Sequence, residues 1–203
     1  MKYKWNYKYA QSTQPLFGEN PSLICQEYKN LPAIDLSPSL FIGDGEGRNS
    51  RFIAKSNIDV TAIDFSEVAT KKALDEDKKL GIQVNRYIAD AKYWNDKNKK
   101  FQSCFMIFLH VPEKERQAIF SNIKKNLHMG GSLFIEGFSI QQMLYHSGGP
   151  RDPNLLYDTQ TIIKELSSFT LIKSIITEEF LNDAPGHVGL ASINRLHFTK
   201  TIP

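Results

Sequence analysis

Glycines at 43, 45 and 47, acids at 44, 64 and 90, and histidines at 110 and 187 are the residues best suited to bind a ligand or do chemistry. From Leu40 to Asn49 the chain reads Leu-Phe-Ile-Gly-Asp-Gly-Glu-Gly-Arg-Asn, a short apolar run entering a glycine-rich loop. Such glycines let a backbone turn sharply and approach a ligand, and the N–H groups opening the next helix attract polar ligand atoms. A second apolar run ends in Asp64, and a third, from Val84, ends in Asp90-Ala91. Acids at the carboxyl ends of neighbouring parallel strands open into one crevice. There Asp64 can accept the hydroxyls of a ribose, while Asp90 or the Ala91 N–H can meet an adenine edge. The order of these residues predicts a pocket for an adenosine-containing cofactor. The GxGxG spacing departs from the GxGxxG fingerprint of nicotinamide dinucleotide enzymes, which speaks against an oxidoreductase without eliminating it.

Further along, His110 follows the fourth apolar run and is the candidate general base, with a helix cap or a bond to backbone as its structural alternative. Glu136 ends the fifth run, where it can touch a substrate or bond to neighbouring backbone. Tyr145 and Arg151 flank Gly148-Gly149-Pro150, a candidate mobile loop over the pocket, and His187 opens the last extended run. Tyr145, Arg151 and His187 are the candidate substrate contacts.

These residues need elements to position them. Strands are predicted at 39–42, 58–63, 83–89, 101–108 and 132–137, with helices near 47–56, 66–80 and 112–128 between them. Ser66 reads as an N-cap, Gly81 as a helix stop, and Gly130-Gly131 as the close of the third helix. Residues 1–38, punctuated by four prolines, read as an irregular cap segment with a short helix near 20–30. Residues 39–137 form the cofactor-binding core, and 138–203 a substrate-side loop, a helix at 158–168 and a hairpin of runs 169–180 and 188–199 turning at 182–186. The expectation is a single α/β domain over 1–203: a doubly wound, mostly parallel sheet with helices on both faces.

Composition removes several classes. With 41% hydrophobic residues and a net charge of +3, the 203-residue chain has ample core and lacks the concentrated positive charge of a nucleic-acid binder. Lys2, Lys4 and Lys8 alternate with Tyr3, Trp5, Tyr7 and Tyr9, a pattern read as aromatics covering a pocket beneath solvated lysines. The two cysteines, Cys25 and Cys104, and five dispersed histidines offer no metal-ligand spacing or disulfide framework. No run is long enough to span a membrane and no secretory signal is read, so a cytoplasmic protein without membrane or nucleic-acid partners is expected, as monomer or homodimer.

The series Leu40 to Gly47, Ala62-Ile-Asp64, Ala89-Asp90 and Gly130-Gly-Ser-Leu-Phe-Ile-Glu136 resembles the class I S-adenosylmethionine-dependent methyltransferases. Glu46-Gly-Arg-Asn49, Phe17-Gly-Glu-Asn-Pro21, Phe108-Leu-His-Val-Pro112 and Gln142 to Pro150 are similar to the small bacterial members related to tellurite-resistance and thiopurine methyltransferases. The resemblance implies a seven-stranded Rossmann-like sheet of order 3-2-1-4-5-7-6 with strand 7 antiparallel. It implies S-adenosylmethionine as cofactor and S-adenosylhomocysteine as product. Gly43, Gly45 and Gly47 would lie along the methionine part, Asp64 at the ribose and Asp90 with Ala91 at the adenine. Asn49, Phe65 and Phe108 would complete the cofactor wall. Many members carry an acid where this chain has Phe41, so Asp44 is the substitute carboxylate toward the ammonium group. The implied reaction is in-line methyl transfer to a small nucleophile: a thiol, a chalcogen oxyanion or a xenobiotic. The absence of an Asn/Asp-Pro-Pro-aromatic turn after strand four, and of a cysteine after proline, argues against nucleic-acid methylation. A nicotinamide-dependent oxidoreductase and a non-catalytic cofactor-binding regulatory module remain as alternatives.

Overall fold

A computed structural model describes residues 2–184 and 187–201. Seven strands, β1 (Ser39–Ile42), β2 (Val60–Asp64), β3 (Asn85–Ile88), β4 (Phe101–Ile107), β5 (Leu127–Phe138), β6 (Phe169–Ala184) and β7 (His187–Lys200), form one sheet. Its order is β3-β2-β1-β4-β5-β7-β6, with β7 antiparallel to both neighbours, as expected. The hairpin is longer than predicted, and Pro185-Gly186 at its turn lie outside the described residues.

The central strands are buried on both faces because helices cover both, so Leu40-Phe41-Ile42 of β1 and Cys104-Phe105-Met106 of β4 read as continuous apolar runs without alternation. One side of the sheet packs Leu40, Ile42, Met106 and Ile135 under α6 (Glu113–Asn126) and α7 (Thr159–Glu165). The other packs Phe41, Phe105 and Phe134 with Ile53 of α4 (Arg48–Ala54) and Ile24 of α2 (Leu23–Tyr28). Phe41 and Phe105 stack with centroids 4.6 Å apart, which explains why an apolar ring stands at that strand position.

Helix α5 (Glu67–Leu80) has the predicted ends: Ser66 Oγ accepts from Ala69 N at 3.2 Å, and Gly81 turns left-handed at φ 66°. Two expectations need correction. Residues 2–11 are not irregular but form helix α1 (Lys2–Gln11), held on α5 by Ser66 Oγ donating to Asn6 Oδ1 at 2.7 Å and Asn6 Nδ2 donating to Glu67 Oε1 at 3.1 Å. Gly130-Gly131 do not end α6, which stops at Asn126; they lie within β5. There the pairing of β4 with β5 shifts register between Phe101 and Ser103, and Gly131 brings a Cβ-free backbone against Gln102 O. A four-residue helix, α3 (Ala33–Leu36), leads into β1. Among the described residues no helix is long and apolar enough to cross a membrane.

Candidate functional site

The carboxyl ends of β1, β2, β3 and β4 open into one cleft of about 1460 Å³. This exceeds the 300–1,000 Å³ usual for a single small-molecule site, leaving room for a second molecule beside a cofactor. Gly43, Asp44, Gly45, Asn49, Asp64, Phe65, Asp90, Ala91, Phe108, His110 and His187 all line it, so the structure brings together eleven of the fourteen residues singled out from sequence. Gly47 sits at the N-terminus of α4 with φ 83°, immediately behind this lining.

The glycine loop is built from beneath. Asp64 at the end of β2 accepts from Gly45 N at 2.8 Å and from Ser66 N at 2.7 Å. Burial raises its carboxyl to about 6, against the lowering influence of those two N–H donors. Under the loop, Arg86 of β3 donates to Asp44 Oδ2 at 2.6 Å and to Asp77 of α5 at 2.6 and 3.1 Å. Arg51 of α4 reaches the same Asp77 at 2.8 Å. A Cβ on Gly47 would lie 2.4 Å from Arg86 Nη2, so only glycine leaves space for this guanidinium. Asn49 is buried, with its Oδ1 accepting from Ser22 N at 2.8 Å, which ties the loop to the segment before α2.

Asp90 turns its own chain, its Oδ1 accepting from Lys92 N at 3.0 Å, while Ala91 O accepts from Asn122 of α6 at 3.0 Å. These contacts hold the β3 end of the cleft and leave the Ala91 N–H on the wall. Tyr9, whose aromatic character was read as pocket cover, is indeed buried, and its hydroxyl lies 2.6 Å from where a Gly45 Cβ would stand. Helix α1 is thus the roof of the loop, latched by Lys72 of α5, which donates to Tyr9 O and Ser12 O at 2.7 and 2.8 Å and pairs with Glu46 at 3.1 Å. Glu46 in turn accepts from Leu16 N at 2.7 Å. Tyr9, Lys72, Glu46 and Arg86 belong to the site without having been named as ligand contacts: Tyr9 was read only as pocket cover, Glu46 stood only within the glycine-loop motif, and nothing in the sequence marked Lys72 or Arg86.

The opposite end of the cleft is aromatic. His187 at the start of β7 is 4% exposed and packs among Phe17, Phe108 and Phe138 with ring centroids 4.7, 4.8 and 5.2 Å away. Burial, the Arg48 charge and His110 lower it to about 3, so the ring is neutral, and its Nδ1 is buried without a hydrogen-bond partner. Phe108 directly after β4 holds φ 50°, a left-handed conformation a bulky residue rarely adopts. That backbone is pinned by its N–H donating to Glu136 O at 2.7 Å. Strain of this kind concentrates where a side chain must be aimed at a ligand.

Other candidates lie elsewhere or are committed. His110 Nδ1 bonds to Leu155 O at 2.8 Å and its Nε2 accepts from Phe138 N at 3.3 Å, and burial lowers it to about 4. Both ring nitrogens therefore serve the backbone that shapes the aromatic wall, and neither has a lone pair left for a substrate proton. Tyr145 and Arg151 do not line the cleft: the Tyr145 hydroxyl donates to Glu178 of β6 at 2.5 Å, and Arg151 donates to Tyr145 O at 2.6 Å. Of that loop, Gly149 and Pro150 reach the cleft. Glu136 accepts from Ile24 N at 2.9 Å and Arg195 Nε at 2.6 Å, binding α2 to the sheet. Cys25 and Cys104 are buried thiols, and no metal-ligating cluster occurs among the described residues.

Residues 40–131 match the family model described as a methyltransferase domain. No curated protein matches the chain in sequence. Among solved structures, one described for the conversion of a disulfide bond into a thioacetal group during echinomycin biosynthesis superposes with TM-score 0.82 at 14% identity, over 99% of this chain and 92% of its own. An S-adenosylmethionine-dependent methyltransferase from Methanosarcina mazei gives 0.73 at 16% identity over 91% and 100%. Magnesium protoporphyrin IX methyltransferase from Synechocystis PCC 6803, solved with bound S-adenosylhomocysteine, gives 0.67 at 14% over 88% and 80%. What these proteins share with the chain is the fold. The antiparallel β7 between β5 and β6 separates that fold from the all-parallel 3-2-1-4-5-6 dinucleotide fold, which removes the main support for an oxidoreductase.

Proposed function

We propose that this chain, which has the fold of S-adenosylmethionine-dependent methyltransferases and carries a methyltransferase domain over residues 40–131, transfers a methyl group to a small-molecule nucleophile. One observation carries the reading: a single cleft joins the glycine loop, Asp64 and Asp90-Ala91 to an aromatic end containing a buried neutral imidazole. When bound, S-adenosylmethionine supplies an already activated methyl on a positive sulfonium centre, leaving S-adenosylhomocysteine as product.

The residues present fit that group. Asp64 has two carboxylate oxygens each holding one backbone N–H, and each keeps a lone pair for a ribose hydroxyl. Asp90 and the Ala91 N–H suit the adenine edge, with Phe65 flanking. Gly43, Gly45 and Asp44 run beside the amino-acid end. No general base is required of a nucleophile that leaves its proton in solvent and enters the site deprotonated, so the main tasks of this end are alignment and exclusion of water. Phe17, Phe108 and Phe138 do the excluding. His187 orients the acceptor through its uncommitted nitrogen, and His110 holds the wall.

This lining favours a polarisable, weakly hydrated acceptor such as a thiolate over a chalcogen oxyanion, whose stronger hydration the aromatic faces would not replace. Calorimetric titration with S-adenosylhomocysteine, followed by a radiolabelled methyl-transfer screen over thiols, phenols, amines, selenite and tellurite, tests both parts. Binding with turnover of thiols is the expected result. No binding would remove the cofactor reading; turnover confined to the oxyanions would remove the acceptor preference.

A further inference from the structure

Behind the aromatic end of the cleft stands a buried amide. Strand β5 pairs with β7 as far as Phe138 and Ile193 and then ends. Past that point Ser139 N donates to Ser192 O at 2.9 Å, and a 3₁₀ turn over Ile140–Leu144 brings Gln142 alongside β7. Gln142 is 1% exposed and does not line the cleft. Its Oε1 accepts from Ser192 N at 2.8 Å, and its Nε2 donates to Ser147 Oγ at 3.0 Å and to Gly148 O at 3.1 Å. One side chain therefore spends its oxygen on the strand and both amide hydrogens on the loop. The loop meets β7 a second time where Val188 N, next to His187, donates to Ser147 O at 3.0 Å.

What the amide holds is wall. Gly148 and Gly149 follow with φ 129° and 81°, which glycine adopts freely, and they carry Gly149 and Pro150 onto the cleft. A Cβ on Gly149 would stand 2.6 Å from Phe138 Cδ2, so the backbone lies directly on that ring. The loop's other side-chain ties, Tyr145 to Glu178 and Arg151 to Tyr145 O, are exposed, and water competes for them. The bonds of Gln142 have no such substitute.

We infer that Gln142 is a positioning residue for the methyl acceptor: it pins the Gly148-Gly149-Pro150 loop against Phe138, and so fixes the width of the acceptor end and selects slender acceptors over broad ones. The inference rests on the acceptor reading above and adds a residue that touches no ligand. It also explains why His187 and the loop act as one wall, since Gln142 joins the loop to the strand that His187 opens.

The test uses the full chain with S-adenosylmethionine and two primary thiols of equal carbon count, n-hexanethiol and an isomer ending in a tert-butyl group. Their thiols are alike in acidity, so the ratio of their kcat/KM values reports the wall. Wild type is expected to favour the straight chain by about tenfold or more, the scale on which an apolar wall discriminates against a misfitting group. Gln142→Met keeps the bulk and removes the amide. The ratio should then fall about fivefold or more through a raised KM for the straight chain, with S-adenosylhomocysteine affinity changed by less than about twofold. Gln142→Glu can donate to Gly148 O only while protonated, so its ratio should lie near wild type at about pH 6 and reach the Gln142→Met value by about pH 9. Gly149→Ala leaves the amide in place and forces the loop off Phe138, so it should lower the same ratio even where the Gln142 variants fail to fold. A wild type that does not distinguish the two thiols, variants that slow both equally, or a Gln142→Glu ratio that does not follow pH overturns the inference and leaves the acceptor reading standing. A wild type that methylates no thiol overturns both.

Discussion

Replacing Asp64 with asparagine separates what the carboxylate does for the fold from what it does for the ligand. In the structure its two oxygens each receive one backbone N–H, from Gly45 at 2.8 Å and Ser66 at 2.7 Å. An amide presents one oxygen and one NH₂, so one of the two N–H groups must face another donor. Losing a hydrogen bond to a charged acceptor costs about 1.5–3 kcal/mol. Against this, burial raises the Asp64 carboxyl from 3.8 to about 6, and ionising it at neutral pH costs about 3 kcal/mol. At neutral pH the two terms nearly cancel, and the variant should be close to wild type in stability. The sign of the pH dependence is fixed by the direction of the shift. A carboxyl raised in the folded state binds its proton more tightly there than when unfolded, so its contribution is full below the unfolded value of 3.8 and is lost as pH rises through about 6. Between about pH 5 and pH 7, wild type should lose about 1.4 kcal/mol relative to Asp64→Asn. Urea denaturation of both proteins at several pH values measures that difference, in which other titrating groups cancel. Ribose hydroxyls donating to the ionised form reverse the preference, so S-adenosylhomocysteine affinity in wild type should fall as pH drops below about 6 and be flat in the variant. A stability difference independent of pH, or unchanged ligand affinity in Asp64→Asn, would refute the reasoning.

Removing the roof latch with Lys72→Met deletes donors to Tyr9 O and Ser12 O and the pair with Glu46. Stopped-flow fluorescence of Trp5, which lines the cleft, should report S-adenosylhomocysteine leaving several-fold faster, up to about tenfold for a loss of 1–1.5 kcal/mol; an unchanged rate would mean α1 does not gate the ligand. His187→Phe keeps a ring among Phe17, Phe108 and Phe138 but removes the uncommitted nitrogen. It should lower kcat/KM for the acceptor by about tenfold or more while leaving S-adenosylhomocysteine affinity intact, and equal loss of both would argue against an acceptor contact. In Gly137→Ala the new Cβ meets Tyr157 Cε2 at 2.4 Å and His110 Cε1 at 3.2 Å. A loss of about 1–3 kcal/mol in denaturation is expected from such overpacking, and an unshifted midpoint would show that the wall yields freely.

The parts of the fold legible in the sequence are those whose signals are local. Ser66 and Gly81 bracket α5 because capping and the left-handed stop involve neighbours in the chain. The apolar runs ending in Gly43, Asp64 and Asp90 placed the crevice because strand direction alone brings their ends together. Gly130-Gly131 misled because glycine serves equally to end a helix and to let two backbones approach, and only the paired β4 at Gln102 selects the second use. Helix α1 has no acid in its first turn and a mean polarity that hides any apolar stripe; what makes it helical is the platform of α5, through Asn6, Ser66 and Lys72.

The same distinction explains why the donor side of the cleft was readable and the acceptor side was not. Gly43 to Gly47, Asp64 and Asp90 fall in register at the ends of strands β1 to β3, so their chemistry follows from spacing. Phe17, Phe108, Phe138 and His187 come from four separate stretches of the chain and meet only because β7 runs antiparallel and returns beside β5. Nor does residue type reveal which histidine is available. His110 stands where a base would be sought, but the backbone of Leu155 and Phe138 takes both its nitrogens, while His187 keeps an unpartnered Nδ1 because it is packed among rings that offer no hydrogen bond. An uncommitted polar atom is a property of the assembled surroundings: Asp44 Oδ1 and Asn194 Oδ1 are likewise buried without a partner, and neither residue type nor spacing marks them in the sequence.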